Sequence, residues 1–207
     1  MQGMGAILRI PCIPCFRCER SLRTRYHQLE TKVNLAAQDA SAKFIIRDYC
    51  PTDFETLWEI DQCCFPSGIS YSRLELSGFV TRRNAITLVA EPGNDETENT
   101  SVDASASGNS RRIAGFVVAH SIRRRYGRIL TLDILPEARR LGIGTTLMLA
   151  CEQRLRSSGC CDVSLETAVD NEPALRLYRK LGYEVLGILP EYYASHALDA
   201  FRMGKRL

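Results

Sequence analysis

The sequence predicts one mixed α/β domain over residues 42–207, and three observations indicate this class. Segments with alternating or continuous apolar residues, typical of strands, interleave with segments whose apolar residues recur every three or four positions, typical of helices. The predicted order is β-α-α-β-β-β-α-β-α-β-β, without an internal repeat. Two of the predicted helices stop at a glycine, Gly159 and Gly182, a residue that commonly ends helices.

The elements of the first half follow from short local patterns. Residues 51–65 place Leu57, Trp58 and Ile60 on one side of a predicted helix. Residues 91–112 are rich in Ser, Asn, Gly and acidic side chains and cannot bury apolar surface, so we expect a solvated loop between two strands. Strands are predicted at 43–50, 85–91, 113–122 and 128–135, with a second helix between 66 and 82.

The second half contains the helices with the clearest signals. Ile143, Leu147, Cys151 and Leu155 recur at intervals of four, which places them on one helix face. Residues 171–183 begin with a capping asparagine, have proline in the first turn and end at a glycine. The remaining strands are predicted at 161–169, 184–193 and 198–206.

Composition and charge exclude several classes of protein. Hydrophobic residues make up 45% of the chain and charged residues 25%, the balance of a soluble globular protein. No apolar run approaches the roughly 20 residues that span a bilayer, so we expect no membrane partner. The formal net charge of +3 is small and does not indicate a DNA partner. We therefore expect a cytoplasmic protein.

Residues 1–41 show no sustained period and are predicted to form a leader that is disordered or weakly ordered. The leader contains Cys12, Cys15 and Cys18 in a C-x-x-C-x-x-C arrangement, with His27 beyond it. This spacing is compatible with a metal or redox site, but no second ligand pair follows at finger spacing, so we predict no metal. Most of the other cysteines are interpreted as small core residues in a reducing compartment.

The sequence R-R-L-G-I-G, residues 139–144, stands between a predicted strand and a predicted helix. Glycines let the backbone approach a ligand closely, since they have no Cβ atom. The first amides of a helix have no partner in their own helix and lie at the positive end of its dipole. The arrangement suits a pyrophosphate, and the arginines add charge. A tight turn that needs glycine for geometry alone would show the same pattern.

The context of this turn resembles the GNAT superfamily of acetyl-CoA-dependent N-acetyltransferases, in which an R/Q-x-x-G-x-G/A turn holds the pyrophosphate of coenzyme A. The final third is most similar to the ribosomal-protein alanine N-acetyltransferase branch, which carries an L-E-V-R-x-x-N…A-x-x-L-Y-x-x-x-G-F segment and then a Tyr pair. Here these elements stand as Leu165–Glu166, Asn171, Ala174, Leu177–Tyr178, Gly182–Tyr183 and Tyr192–Tyr193. The resemblance is strong over residues 113–207, weaker over 43–90 and absent in 1–41.

The resemblance implies a mostly antiparallel central sheet with helices on both faces and a V-shaped cofactor cleft between two splayed strands. It implies that the backbone of Leu132, Asp133 and Ile134 faces the pantetheine arm and thioester of acetyl-CoA, and that Asn171 bonds that arm. The pyrophosphate is expected to lie beside Arg139 and to bind the backbone amides of Arg140, Leu141, Gly142, Ile143, Gly144 and Thr145.

The resemblance also implies catalytic roles. Glu166 would be the general base, Tyr178 would protonate the departing thiolate, and Tyr192 and Tyr193 would shape the acceptor pocket. A modest base is enough for an α-amine, whose pKa lies near 8 against about 10.4 for lysine. The residues alone leave two alternatives open: Glu166 as a solvated strand carboxylate and Tyr178 as a core side chain.

Some positions depart from the family pattern. Ala138 replaces a frequent aromatic, Arg140 and Leu141 replace glycine or glutamine-type residues, and Ala194 stands where proline often follows the Tyr pair. The basic stretch R-R-R-Y-G-R, residues 123–128, is interpreted as a solvated hairpin tip. Contact with ribosomal RNA or an acidic substrate is the alternative for this stretch.

The leading prediction for function is acetylation of a protein N-terminal α-amine, with a small ribosomal protein as the family's known substrate. The first alternative is a lysine side-chain or small-molecule amine or polyamine acetyltransferase. The second is a non-catalytic acyl-CoA-binding regulatory module, against which the presence of both Glu166 and Tyr178 argues.

Overall fold

The computed structural model describes residues 44–93, 112–123, 125–193 and 197–207, which contain seven strands and four α-helices. The strands are β1 (Phe44–Asp48), β2 (Ala85–Pro92), β3 (Gly115–Ile122), β4 (Tyr126–Ile134), β5 (Asp162–Ala168), β6 (Glu184–Tyr193) and β7 (Leu198–Arg206). The helices are α1 (Phe54–Cys64), α2 (Arg73–Val80), α3 (Ile143–Ser157) and α4 (Glu172–Lys180), and short 3-10 turns cover Pro51–Asp53 and Pro136–Ala138. The predicted strand and helix order is therefore confirmed.

The strands form one sheet in the order β1-β2-β3-β4-β5-β7-β6. Every neighbouring pair is antiparallel except β4 and β5, which run parallel. Their pairing joins Tyr126–Arg128 only to Asp162–Ser164, although both strands continue beyond these residues. The sheet therefore opens between β4 and β5, and the predicted mixed, mostly antiparallel fold is confirmed.

Helices cover both faces of the sheet, as predicted. The helices α3 and α4 pack on one face in a core that includes Leu147, Leu175 and Val117. The helices α1 and α2 pack on the other face in a second core that includes Leu57 and Phe116. Successive strand residues point to opposite faces, so each strand contributes to both cores.

The two helices with the clearest sequence signals form as predicted. Ile143, Leu147, Cys151 and Leu155 are all at most 1% exposed, so this face of α3 lies in the core. The side-chain oxygen of Asn171 accepts a hydrogen bond from the Ala174 amide (3.3 Å), which caps α4. Both glycines predicted to end helices, Gly159 and Gly182, have positive φ, 87° and 84°.

The hairpin between β3 and β4 differs from the prediction in one consequential way. Strand β4 begins at Tyr126, and Arg128 pairs with His120 of β3 and Ser164 of β5. The interpretation of the whole basic stretch as a solvated tip is therefore wrong for Arg128. The tip is short because the first residues of β4 pair with both β3 and β5. This pairing outweighs the local preference of a basic, glycine-containing segment for a turn.

The cysteines divide between the core and the surface. Cys151 and Cys160 are buried, as predicted, whereas Cys63 and Cys161 are exposed, so the core interpretation is wrong for these two. The cysteine cluster of the leader and most of the predicted 91–112 loop lie outside the described residues. Within the described ranges, no helix has the length and apolar character needed to cross a bilayer.

Candidate active site

The turn before α3 presents a continuous row of free backbone donors. Within the described residues, the amides of positions 140–145 make no hydrogen bond to the protein, and no side chain caps α3. The first backbone hydrogen bond of α3 runs from the Thr146 amide to the Gly142 carbonyl (3.1 Å). The first turn of α3 contains no acidic residue. Six adjacent free donors at the positive end of a 15-residue helix are an arrangement that favours anions.

Two backbone features shape this turn. Gly142 has a φ of 84° and Arg140 a φ of 65°, both in the left-handed region that favours glycine. The strain at Arg140 gives a physical reason for the glycine that often stands there in the GNAT family. A Cβ atom at Gly144 would lie 3.3 Å from Leu177 Cδ2 and 3.9 Å from Leu132 Cδ2, so Gly144 allows α3 to start close to β4 and α4.

The end of β4 connects this turn to the opening in the sheet. The Ile134 carbonyl accepts hydrogen bonds from Arg139 Nε (3.0 Å) and Cys64 Sγ (3.3 Å), so Arg139 folds back on the strand. Alternate residues of a strand direct their amides and carbonyls to opposite edges. Beyond Arg128, the backbone amide and carbonyl of every second β4 residue therefore face β5 without pairing with it. Leu132, Asp133 and Ile134 lie in this segment.

Glu166 lies two residues beyond the last residue of β5 that pairs with β4. Its side chain is 7% exposed, and both oxygens bind arginines. Oε2 accepts hydrogen bonds from Arg128 Nε (3.1 Å) and Nη2 (3.0 Å), and Oε1 accepts one from Arg202 Nε (3.2 Å). The alternative of a freely solvated carboxylate does not hold, because Glu166 is the shared counter-ion of two guanidinium groups.

Tyr178 lies in α4 with its side chain nearly enclosed, at 7% exposure. Its ring packs on Tyr183, with 5.8 Å between ring centroids. Burial raises the pKa of Tyr178, and the nearby Asp133 adds to the shift, so the hydroxyl keeps its proton at neutral pH. The hydroxyl has no hydrogen bond to another described residue and retains its donor capacity. The side-chain oxygen of Asn171 caps α4, while its side-chain nitrogen Nδ2 has no hydrogen bond to another described residue.

Tyrosines surround the opening on the face that carries α1 and α2. Tyr192 and Tyr193, near the end of β6, contact edge to face with ring centroids 5.1 Å apart. Tyr192 is 42% exposed, and its hydroxyl accepts a hydrogen bond from Arg128 Nη2 (3.3 Å). Tyr71, before α2, donates its hydroxyl proton to the Leu130 carbonyl of β4 (3.2 Å). The charge of an ionised Tyr192 helps to raise the pKa of Tyr71, so the two hydroxyl groups lie in the same region.

Two buried carboxyl groups in the α1–β4 layer were missed by the sequence analysis. Asp133 is fully buried; it accepts a hydrogen bond from Thr131, but its Oδ2 has no partner among the described residues. Burial raises the pKa of Asp133 well above its usual range. Asp61 of α1 accepts the Tyr71 amide (2.8 Å), and burial raises its pKa to about 6. Asp133 pairs with Phe116 of β3, and this register is visible only in the structure.

The match to known families identifies the fold. The model of the acetyltransferase (GNAT) family matches residues 54–183, which include α1, the turn before α3 and all of α4. The chain belongs to the GNAT family. This match includes β4, α3, β5 and α4, and it ends before β6 and β7.

Individual GNAT relatives agree with this assignment. An N-alpha-acetyltransferase of Sulfurisphaera tokodaii is 38% identical over 82 residues, or 39% of this chain and 48% of that protein, so the match spans about half of the relative. A structure of Arabidopsis thaliana NAA60 in complex with acetyl-CoA has a TM-score of 0.64 at 22% identity and covers 79% of this chain and 98% of that one. The Escherichia coli ribosomal-protein-S18-alanine N-acetyltransferase has a TM-score of 0.63 at 18% identity and covers 79% and 93%.

Proposed function

We propose that this protein transfers the acetyl group of acetyl-CoA to the N-terminal α-amine of a protein or peptide. The observation that carries the proposal is the row of six unpartnered amides at positions 140–145, placed at the opening between β4 and β5. The relatives named N-alpha-acetyltransferase and the family match support the same reaction. The acetyl-CoA thioester supplies the activated acetyl group.

The residues present fit this co-substrate. The amides at 140–145 would bind its diphosphate, Arg139 and Arg140 lie beside them, and the free side-chain amide of Asn171 would bond the pantetheine arm. The unpaired edge of β4 at 132–134 would receive the same arm in the way an added strand would. A free amide of this edge near Ile134 would stabilise the oxyanion that forms on attack.

Proton transfers complete the proposed reaction. The attacking amine must lose a proton, and we assign its acceptance to Glu166, directly or through a water molecule. The arginines that hold Glu166 fix its position. Tyr178 keeps its hydroxyl proton and would deliver it to the departing thiolate. No covalent enzyme intermediate is needed, so the exposed cysteines have no assigned role.

A peptide acceptor is supported by the exposed side of the pocket. Tyr192 and Tyr193 would form one wall, and the 42% exposure of Tyr192 leaves this wall open to a chain that continues into solvent. A small ribosomal protein remains the proposed substrate, with lysine side chains or a small amine or polyamine as the alternative acceptors. The free thiols of the described cysteines suit the reducing cytoplasm, our proposed location.

The test is incubation of the purified protein with acetyl-CoA and a panel of acceptors, followed by measurement of product mass. The panel contains peptides with free N-termini, the same peptides N-terminally blocked with an internal lysine, and polyamines. We expect a gain of one acetyl group on the free N-termini only. Product exclusively on the blocked lysine peptides or on polyamines would contradict the proposed acceptor, and no product on any amine would contradict acetyl transfer itself.

A further inference from the structure

The acceptor side of the opening contains two arginines that hold Glu166 and to which the proposed reaction gives no contact with the acceptor. This arginine pair, Arg128 of β4 and Arg202 of β7, flanks Glu166 from two directions at 3.0 Å and 3.2 Å. Each arginine side chain is 38% exposed, whereas Glu166 is 7% exposed. The carboxylate is therefore enclosed, and the two guanidinium groups reach the surface.

The charges of this cluster do not balance. Two guanidinium groups share one carboxylate, so the cluster has one positive charge in excess. Arg202 binds Glu166 through Nε alone, and its Nη1 and Nη2 have no hydrogen bond to another described residue. Arg128 uses Nε and Nη2, and its Nη1 is likewise without a described partner. Unused, planar donors of this kind match a carboxylate.

The arginine pair lies at the acceptor wall and not at the cofactor turn. Arg128 Nη2 contacts the Tyr192 hydroxyl at 3.3 Å, and Arg202 stands directly opposite Glu166 in the β5–β7 register. Two other carboxyl groups of this region, Asp61 and Asp133, are fully buried in the α1–β4 layer, whereas Asp170 is exposed near Tyr193. Among the described residues, only Glu166 forms an ion pair with Arg128 or Arg202.

We infer that the arginine pair selects acceptors with an acidic side chain close to the amine, within the first two residues of the peptide. The inference rests on the proposed function and specifies its substrate class. An acceptor carboxylate would bind the unused guanidinium donors, while a basic side chain in the same place would meet like charge. Glu166 competes for the same arginines, so its neutralisation should strengthen the selection.

The test uses three peptides that differ only in the second residue, which is Asp, Ala or Lys. We expect kcat/KM to fall in that order, with about a fivefold step between neighbours at low ionic strength, as for partly exposed charge pairs. The steps should shrink in 0.5 M salt, because screening weakens exposed charges. Arg202→Gln should reduce the Asp-to-Lys ratio of kcat/KM at least threefold.

Matched variants keep the test decisive. Arg156→Gln makes the same change on exposed α3, away from the acceptor wall, and should leave the ratio as it is in the wild type. Arg202→Lys keeps the charge without the planar fork and should give an intermediate ratio. Glu166→Gln should lower KM for the Asp peptide relative to the Ala peptide, whatever its effect on kcat.

The outcomes separate the inference from the proposed function. Equal kcat/KM for the three peptides, or a ratio unchanged in Arg202→Gln, would overturn the selection while acetylation of N-termini stands. Product on free aspartate but on no peptide would overturn the peptide class. No product on any peptide or amine would overturn the proposed function and the inference together.

Discussion

The two sides of the opening between β4 and β5 are built in opposite ways. The proposed cofactor side is one continuous stretch, residues 139–145, that would bind through backbone amides at the start of α3. The acceptor side is assembled from side chains of separate elements, namely Tyr71, Arg128, Glu166, Tyr192 and Arg202. Backbone donors bind any ligand with the right phosphate geometry, whereas assembled side chains can differ between proteins that share the fold. We therefore expect cofactor binding common to the family on the cofactor side and the choice of acceptor on the acceptor side.

The largest expected effect comes from an acidic residue in the turn. Gly142→Asp forces a side chain into a φ of 84°, which costs about 1 kcal/mol, and adds a negative charge where a diphosphate would bind. We expect KM for acetyl-CoA to rise at least about 300-fold, or over 3 kcal/mol. The control is Gly187→Asp, where an added Cβ meets nothing within 4 Å and should leave KM unchanged. An unchanged KM in Gly142→Asp would remove the turn from the cofactor side.

The next effect tests whether the buried carboxyl group of Asp61, which accepts the Tyr71 amide beside the acceptor side, lowers stability. Burial raises the pKa of Asp61 to about 6 from 3.8, so between these values the folded state binds more protons than the unfolded state. Wild-type stability should therefore fall as pH rises from about 4 to about 6, by up to about 3 kcal/mol at 1.36 kcal/mol per pH unit.

Asp61→Asn should make that fall smaller and leave the part that comes from Asp133, while Asp162→Asn, at an exposed position of β5, should follow the wild type. The measurement is the midpoint of urea unfolding at pH 4, 5, 6 and 7. Parallel curves for the wild type and Asp61→Asn would contradict a raised pKa of Asp61 in the folded state.

Glu166→Gln separates a catalytic role from an architectural one. The amide keeps the shape of the side chain but cannot accept the amine proton, so we expect kcat at pH 7 to fall about 100-fold. The loss should diminish at pH 9, where more of the amine is already neutral. A kcat at pH 7 equal to the wild-type value would assign Glu166 solely to holding the arginine pair.

Tyr178→Phe should have the smallest effect on rate. A thiolate leaves readily near neutral pH, since thiol pKa values lie near 8.5, so we expect kcat to fall only about tenfold. Tyr183→Phe is the matched control on the neighbouring ring. It removes the hydrogen bond to buried Glu152 (3.0 Å) and should lower Tm with little change in kcat. Equal kcat in Tyr178→Phe and the wild type would rule out the acid role.

The same contrast explains what could be predicted from the sequence. The cofactor turn is local, so the R-R-L-G-I-G stretch, the helix pattern after it and the cap at Asn171 all stand in consecutive residues. The strands and helices were predicted in their correct order because apolar periodicity is also local. The glycine at position 142 could be recognised without tertiary information, because it belongs to the local turn that leads into α3.

The acceptor side could be predicted only in part. Tyr192 and Tyr193 are adjacent in sequence and were predicted through the family resemblance. The predicted strand 128–135 included Arg128, but its contact with Glu166 was not predicted, because that contact depends on the pairing of β4 with β5, which no local pattern reports. Arg202 meets Glu166 only through the β5–β7 register. Burial of Asp133 likewise depends on the packing of α1 against the sheet.

The central claim is that backbone donors at positions 140–145 bind the diphosphate of coenzyme A. Its most direct test is isothermal titration calorimetry of coenzyme A into the purified protein, repeated with dephosphorylated pantetheine. We predict saturable heat with one coenzyme A per chain and binding of pantetheine at least about 100-fold weaker, since pantetheine lacks the diphosphate together with the phosphoadenosine. An absence of heat with coenzyme A, or equal affinity for pantetheine, would contradict the claim.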